Sequence, residues 1–167
     1  MSSWPSSRVG QYARRVGELL GVGGAELDVL ESAGSLHDAG KYFLSDEVLE
    51  KPGPLDEAEW EAVRRHPEFG AAIARDEGLG EEVQEWIRHS HESLDGSGYP
   101  DHLEGDDIPL GARILCVIDA YVGMTAERAY REALLAEEAL ARLEAEAGKR
   151  YDPIVVEAFA RLVRANL

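Results

Sequence analysis

The stretch from Leu110 to Met124 constrains the fold most, because its residues are apolar on nearly every side of a helix. A helix that is apolar all round belongs in the centre of a domain, covered by other elements. Asp119 interrupts this surface between Ile118 and Ala120. An isolated buried carboxylate is costly unless something positive meets it. The sequence therefore predicts a central helix that carries a partnered aspartate.

Amphipathic segments on both sides of this stretch predict the helices that cover it. Apolar residues recur at intervals of three and four from Arg8 to Leu20 and again from Ala25 to His37. A capping box at Asp56 and Glu59 predicts the start of another helix, and His66 and Pro67 predict the start of the next one. Three further helices are predicted over Glu81 to His91, Leu134 to Ala147 and Pro153 to Val163. Sustained strand alternation is absent from the sequence. We expect an all-α fold with a single domain over residues 1–167 and a core over about 6–165.

Charge and composition exclude several classes of partner. The chain has 17 basic and 33 acidic residues, a net charge of -16 that repels double-stranded DNA and acidic lipid. An anionic nucleotide can still bind where basic groups converge in a cleft. The sequence shows no signal peptide and no stretch apolar enough to span a bilayer. The lone Cys116 indicates a reducing setting. We expect a cytoplasmic protein that does not contact membranes.

Three histidines and two aspartates form a candidate metal site. His37 ends a predicted helix and Asp38 follows it, so the two side chains can share a metal ion while the carboxylate bridges to a second ion. His66 and His91 stand at the ends of further predicted helices. Any one of these histidines is more often an ordinary hydrogen-bonded or surface residue than a ligand. The hypothesis therefore depends on their combination with Asp119.

Seven short motifs give the chain a family resemblance that covers almost its whole length. In order they are LHDAGK at 36–41, KPGPL at 51–55, HPEFG at 66–70, HESLDGSGYP at 91–100, IPLGARILCVIDAY at 108–121, MTAERAYR at 124–131 and YDPIVVEAF at 151–159. Their order and spacing resemble the HD-GYP family of the HD phosphohydrolase superfamily. The GYP turn separates this family from other HD proteins.

The resemblance implies an HD-domain helical bundle that hydrolyses cyclic di-GMP or a related nucleotide phosphate ester. It implies divalent metal ions, usually iron or manganese, and the ligands in this chain can hold one or two of them. The implied metal ligands are His37, Asp38, His66, His91 and Asp119. Asp38 and Lys41 would act in catalysis, and the implied contacts to substrate come from Lys41, Tyr99, Arg128 and Arg131.

Ordinary structural roles remain open for the residues assigned to substrate. Lys41 can stabilise a helix carboxyl end, and Arg128 and Arg131 can pair with surface carboxylates. Tyr99 can simply shape the GYP turn and pack on the core. These alternatives weaken single assignments, but none explains a carboxylate at position 119.

Two expected metal ligands are replaced in this sequence. The family has a histidine three residues before an Arg-Val pair, and here Pro5 occupies that position. The family also has a second histidine directly before His91, where this chain has Ser90. His89 is about 100° away from Ser90 on a helix, so we do not expect it to take over as a ligand.

Two function classes follow from the retained and the lost ligands. The first is a metal-dependent phosphodiesterase, with activity reduced by the missing ligands. The alternative is a catalytically degenerate module that binds a nucleotide, or a signalling protein through the GYP loop. A di-iron oxygenase is a third reading, which no residue specifically supports.

Overall fold

The chain folds into a bundle of helices, seen here in a computed structural model that describes residues 7–127 and 132–166. The helices are α1 (Arg8–Leu19), α2 (Gly24–Leu36), α3 (Asp46–Leu49), α4 (Glu57–Arg64), α5 (His66–Asp76), α6 (Glu81–Arg88), α7 (Leu110–Thr125), α8 (Ala136–Ala145) and α9 (Pro153–Arg164), with 3-10 helices at Ala39–Phe43 and Gly105–Asp107. The described ranges contain only isolated bridges and no strand. The all-α prediction is confirmed. Among these residues, no helix has both the length and the apolar character needed to cross a bilayer.

The α7 helix is the centre of the bundle, as its sequence predicts. Ile114, Leu115, Val117 and Ile118 have no solvent exposure. The helices α1, α6, α8 and α9 all contact α7, and α2 packs along α1. Full burial of such side chains contributes roughly 1.5–3 kcal/mol each relative to exposure. The hydrophobic core therefore fixes the position of α7 within the bundle.

The predicted helix starts are confirmed by their caps. Asp56 accepts a hydrogen bond from the Glu59 amide at 2.9 Å, and the Glu59 carboxylate accepts one from the Asp56 amide at 2.7 Å. Pro67 lies in the first turn of α5. The Asp152 carboxylate caps α9 by accepting from the Ile154 amide at 2.9 Å. These local interactions satisfy amide groups that a helix start otherwise leaves without partners.

The α6 helix ends earlier than predicted, at candidate site residues. It ends at Arg88 instead of continuing to His91. Hydrogen bonds to carbonyls three residues back, from Ser90 to Ile87 and from Glu92 to His89, turn the chain away from the helix axis. The α2 helix ends at Leu36, directly before His37, and Lys41 lies in the separate 3-10 helix Ala39–Phe43.

The 3-10 helix Ala39–Phe43 packs directly against the main chain of α5 at Gly40. A Cβ atom at Gly40 would overlap the carbonyl oxygen of His66 and would lie 2.7 Å from the amide nitrogen of Gly70. Both obstacles are backbone atoms, which cannot rotate aside as a side chain can. This close approach brings Asp38 beside the start of α5.

We predict that Gly40→Ala lowers the free energy of unfolding by about 1–3 kcal/mol, because the added methyl group forces the two backbones apart. Gly53→Ala is the matched control, since nothing lies within 4 Å of a Cβ at that position. Chemical denaturation of both variants measures the difference. Equal stability of the two variants would contradict the close contact.

Candidate metal centre

His37 and Asp119 meet where the end of α2 faces the middle of α7. The His37 Nδ1 atom donates to the Gly34 carbonyl at 2.8 Å, which leaves Nε2 directed at Asp119 Oδ1, 3.1 Å away. The His37 side chain is 7% exposed and that of Asp119 is 27% exposed. Asp119 therefore has the partner that the sequence predicts, although its carboxylate is only partly buried because it faces this polar cluster.

His66 and His91 form the second part of the cluster. The His66 Nδ1 atom lies 2.7 Å from the Val63 carbonyl, so the proton sits on Nδ1 and Nε2 keeps its lone pair. This Nε2 atom lies 3.1 Å from Nε2 of His91. Two imidazole nitrogens that face each other at this distance can both donate electron pairs to one metal ion.

Asp38 lies between these two pairs. Its Oδ1 atom is 3.6 Å from Nε2 of His37 and 3.6 Å from Nε2 of His66. The side chains make two potential metal-binding groups, Asp38 with His66 and His91, and His37 with Asp38 and Asp119. Within each group the donor atoms lie within 4.8 Å of one another. Because both groups contain Asp38, its carboxylate would serve both groups if each held an ion.

The pKa directions favour the protonation states that metal binding requires at four of the five candidate ligands. His37 differs: burial lowers its pKa, but the hydrogen bond to Asp119 and the charge of Asp38 outweigh burial and raise it. Burial lowers the pKa of His66, and burial together with the nearby imidazoles lowers the pKa of His91 to about 4. Burial raises the pKa of Asp119, but the hydrogen bond and charge of His37 outweigh it, so this pKa falls well below its usual range. His37 and Lys41 likewise hold the pKa of Asp38 low against burial. Metals bind neutral imidazole and ionised carboxylate.

The donor atoms of this cluster fit a metal. Asp38 Oδ1 lies among the imidazole nitrogens, and Lys41 Nζ is its ion-pair partner at 2.7 Å. A set of imidazole nitrogens and carboxylate oxygens suits manganese, iron or zinc. The residues present therefore fit a divalent ion.

The structure describes two of the four residues that the resemblance assigns to substrate contacts, Lys41 and Tyr99. Lys41 forms its ion pair with Asp38 and is 34% exposed, so its charge adjoins the cluster. The Tyr99 ring stacks on His91, with centroids 5.2 Å apart and planes 3° from parallel. Burial raises the pKa of Tyr99 to about 12, so its hydroxyl stays protonated. Arg128 and Arg131 lie outside the described residues, as does Pro5.

The serine that replaces an expected ligand has another function in the structure. Ser90 is fully buried, and its hydroxyl donates to the Ile87 carbonyl at 2.8 Å. His89 lies near a different pair of carboxylates, 3.7 Å from Glu92 and 3.5 Å from Asp101. The structure therefore does not place His89 with the metal-binding groups around Asp38.

Glu92 holds two segments of the site together, a role that the sequence did not predict. It is 2% exposed, and its two oxygens accept hydrogen bonds from the amides of Asp101 at 2.8 Å and Leu103 at 3.2 Å. These bonds tie the chain after Tyr99 to the segment that carries His91. Burial of a glutamate depends on contacts distant along the chain, so periodicity gives no signal for it.

Comparison with known proteins identifies the family. The family model described as HD domain matches residues 2–155. The chain belongs to the HD domain family. The family resemblance found in the seven motifs is also confirmed, because curated relatives at 37% and 40% identity match the chain. The site assignments themselves stay predictions, since the match concerns the whole sequence.

The curated relatives are larger proteins. The HD-GYP chain is 37% identical over 152 residues to 3'3'-cGAMP-specific phosphodiesterase 2 of Vibrio cholerae, covering 90% of this chain and 29% of the relative. It is 40% identical over 157 residues to the cyclic di-GMP phosphodiesterase response regulator RpfG of Xanthomonas campestris, covering 92% and 41%. The chain thus spans less than half the length of these relatives.

Solved structures show the same fold. Bd1817, a HDG"Y"P protein from Bdellovibrio bacteriovorus, matches with a TM-score of 0.76 at 17% identity, covering 93% of this chain and 50% of that one. A cyclic GMP-AMP specific phosphodiesterase of V. cholerae, V-cGAP3, matches with a TM-score of 0.73 at 23% identity, covering 94% and 43%. At these identities the likeness supports the HD-domain architecture alone.

We predict that Asp38→Ala removes more metal than His91→Ala. The first change takes a ligand from both metal-binding groups, whereas the second takes a ligand from one. After loading with Mn²⁺ and desalting, elemental analysis gives the ions bound per chain. His102→Asn is the control, because His102 is exposed and asparagine tolerates its positive φ of 55°. The same metal content in Asp38→Ala and in this control would refute the shared-ligand arrangement.

We also predict that Glu92→Gln lowers the free energy of unfolding by roughly 1–3 kcal/mol, because an amide NH₂ cannot accept and one backbone N–H loses its partner. The exposed Glu82→Gln on α6 is the matched control. Urea denaturation compares the two variants. A Glu92→Gln variant as stable as this control would show that the two hydrogen bonds contribute little.

Proposed function

We propose that this chain is a metal-dependent phosphodiesterase that hydrolyses cyclic di-GMP or a related cyclic dinucleotide. The observation that carries the proposal is the sharing of Asp38 by two three-residue groups of metal-binding side chains. Paired ions at one carboxylate are typical of centres that cleave phosphate esters. Relatives at 37% and 40% identity are phosphodiesterases for 3'3'-cGAMP and cyclic di-GMP.

The ligand set supports iron or manganese as the resident metal, with one or two ions bound. Three imidazoles and two carboxylates match the mixed nitrogen and oxygen ligands that these ions accept. A bound ion would supply Lewis acidity and a nucleophilic water at neutral pH. We assign His37, Asp38, His66, His91 and Asp119 as the residues that hold it.

The side chains around the metal-binding groups have roles of their own in this proposal. Lys41 places a positive charge beside Asp38, where it can neutralise a phosphoryl oxygen of the substrate. The Tyr99 ring covers one face of His91, which fixes the orientation of that imidazole. Arg128 and Arg131 are proposed to contact substrate phosphate as well. We also propose a cytoplasmic location, since a single cysteine is typical of reducing compartments.

A second candidate function follows from Ser90. Its hydroxyl is engaged by the Ile87 carbonyl, so it offers no substitute for the imidazole that the family has there. Fewer ligands weaken metal affinity and leave coordination positions to water. The chain can then act as a binding module for a nucleotide through the same pocket, or for a signalling protein through the GYP loop.

We predict that the chain, loaded with Mn²⁺ or anaerobically with Fe²⁺, hydrolyses cyclic di-GMP, and that Asp38→Ala lowers the rate at least about 100-fold because both metal-binding groups lose a ligand. Chromatography of the linear product measures turnover. Glu47→Ala is the control, because it removes an exposed carboxylate from the nearby helix α3.

Absent turnover in a chain shown to contain metal would refute the phosphodiesterase proposal. Calorimetry with cyclic di-GMP and 3'3'-cGAMP then tests the alternative. Binding without hydrolysis would support a nucleotide-binding module, and no binding would leave a protein partner for the GYP loop.

A further inference from the structure

A polar pocket adjoins the metal-binding groups on the side of the GYP turn. Its volume is about 300 Å³, and His91, Tyr99, Trp60, Arg64 and Arg150 line it. Because His91 belongs to the metal-binding group of Asp38 and His66, the pocket and that group share a wall. Anything bound in the pocket would therefore lie next to the reaction centre.

The two arginines of this pocket are held by aromatic rings. The Arg64 guanidinium lies 5.8 Å from the centroid of the Trp60 ring, and that of Arg150 lies 5.3 Å from the centroid of the Tyr151 ring. A cation over an aromatic face is attracted to it but keeps its N–H donors free at the edge. These contacts orient the guanidinium groups without neutralising them.

The positive charges of these two guanidinium groups are largely unpaired with carboxylates. Arg150 forms no ion pair with any carboxylate of the described residues, and the one ion pair of Arg64 reaches the exposed Glu57 at 3.4 Å. In contrast, Arg88 binds Asp101 through two hydrogen bonds of 2.7 and 2.8 Å. In a chain of net charge -16, two such cations at one pocket form a local site for an anion.

We propose that Arg64 and Arg150 bind the phosphate of a cyclic dinucleotide that is not being hydrolysed. This inference rests on the proposed phosphodiesterase function. A cyclic dinucleotide has two phosphodiester groups, so one remains charged and needs a cationic partner while the other occupies the metal centre. The guanidinium fork matches the geometry of phosphate oxygens.

A larger cavity that includes Asp38 in its lining is less suited to a second phosphate. It has a volume of about 720 Å³ and is lined mostly by apolar side chains, among them Phe43, Leu49 and Ile73. Lys41 is the cation in its lining, and the proposed function already assigns Lys41 to the phosphate that reacts beside Asp38. The arginine pocket is therefore the better phosphate site.

The test compares two substrates in Arg64→Gln and Arg150→Gln. Cyclic di-GMP has two phosphodiesters, whereas bis(4-nitrophenyl) phosphate has one, so it leaves no second phosphate for the arginine pocket while it reacts. We expect the ratio of kcat/KM for cyclic di-GMP to that for bis(4-nitrophenyl) phosphate to fall about tenfold, or about 1.4 kcal/mol, in each variant. The loss should appear mainly in KM, and Arg150→Lys should recover part of it.

Arg142→Gln is the matched control, because Arg142 is an exposed arginine of α8 that does not line the pocket. Thermal melts of all variants check that they fold. An unchanged ratio in the pocket variants, or an equal loss with both substrates, would overturn the assignment.

Failure of the proposed function would be visible separately. If the wild-type chain hydrolyses neither substrate, calorimetry with cyclic di-GMP replaces kinetics. About tenfold weaker binding by Arg150→Gln than by Arg142→Gln would support the phosphate site in a non-catalytic module. Equal binding by the two variants, or no binding by the wild type, would overturn it.

Discussion

The carboxylate of Asp119 imposes the requirement around which the site is arranged. It lies in the middle of α7, whose other inward residues are fully buried and apolar, and it needs a positive partner there. His37 meets this need from the end of α2, and its own ring is held by the Gly34 carbonyl. His66 and His91 come from other helix boundaries. The polar cluster thus forms where several helix ends face one central helix.

The sequence is sufficient to predict the parts of this arrangement that local patterns determine. The all-round apolar character of α7 predicts its central position, and Asp56 and Asp152 predict two helix starts. The presence of Asp119 within an apolar helix indicates a polar cluster. The family motifs then add the histidines that join it.

Other features depend on contacts between residues distant in sequence, and local periodicity does not encode them. The separate 3-10 helix that carries Lys41 packs at Gly40 against the main chain of α5. Glu92 is buried because amides nine and eleven residues later bind it. The convergence of Arg64 and Arg150 likewise requires that α4 and the segment before α9 meet at one pocket.

The close approach at Gly40 has a consequence for how this site can diversify. Main-chain atoms of the 3-10 helix and α5 are in contact, so the separation of Asp38 from His66 is set by the backbone. The lining of the pocket beside His91 instead includes exposed side chains on other segments, among them Trp60, Arg64 and Arg150. Substitutions there can alter what the pocket binds while the spacing of the candidate metal-binding atoms stays constant. The proposed selectivity and the proposed chemistry are thus separable traits in this domain, open to independent evolutionary change.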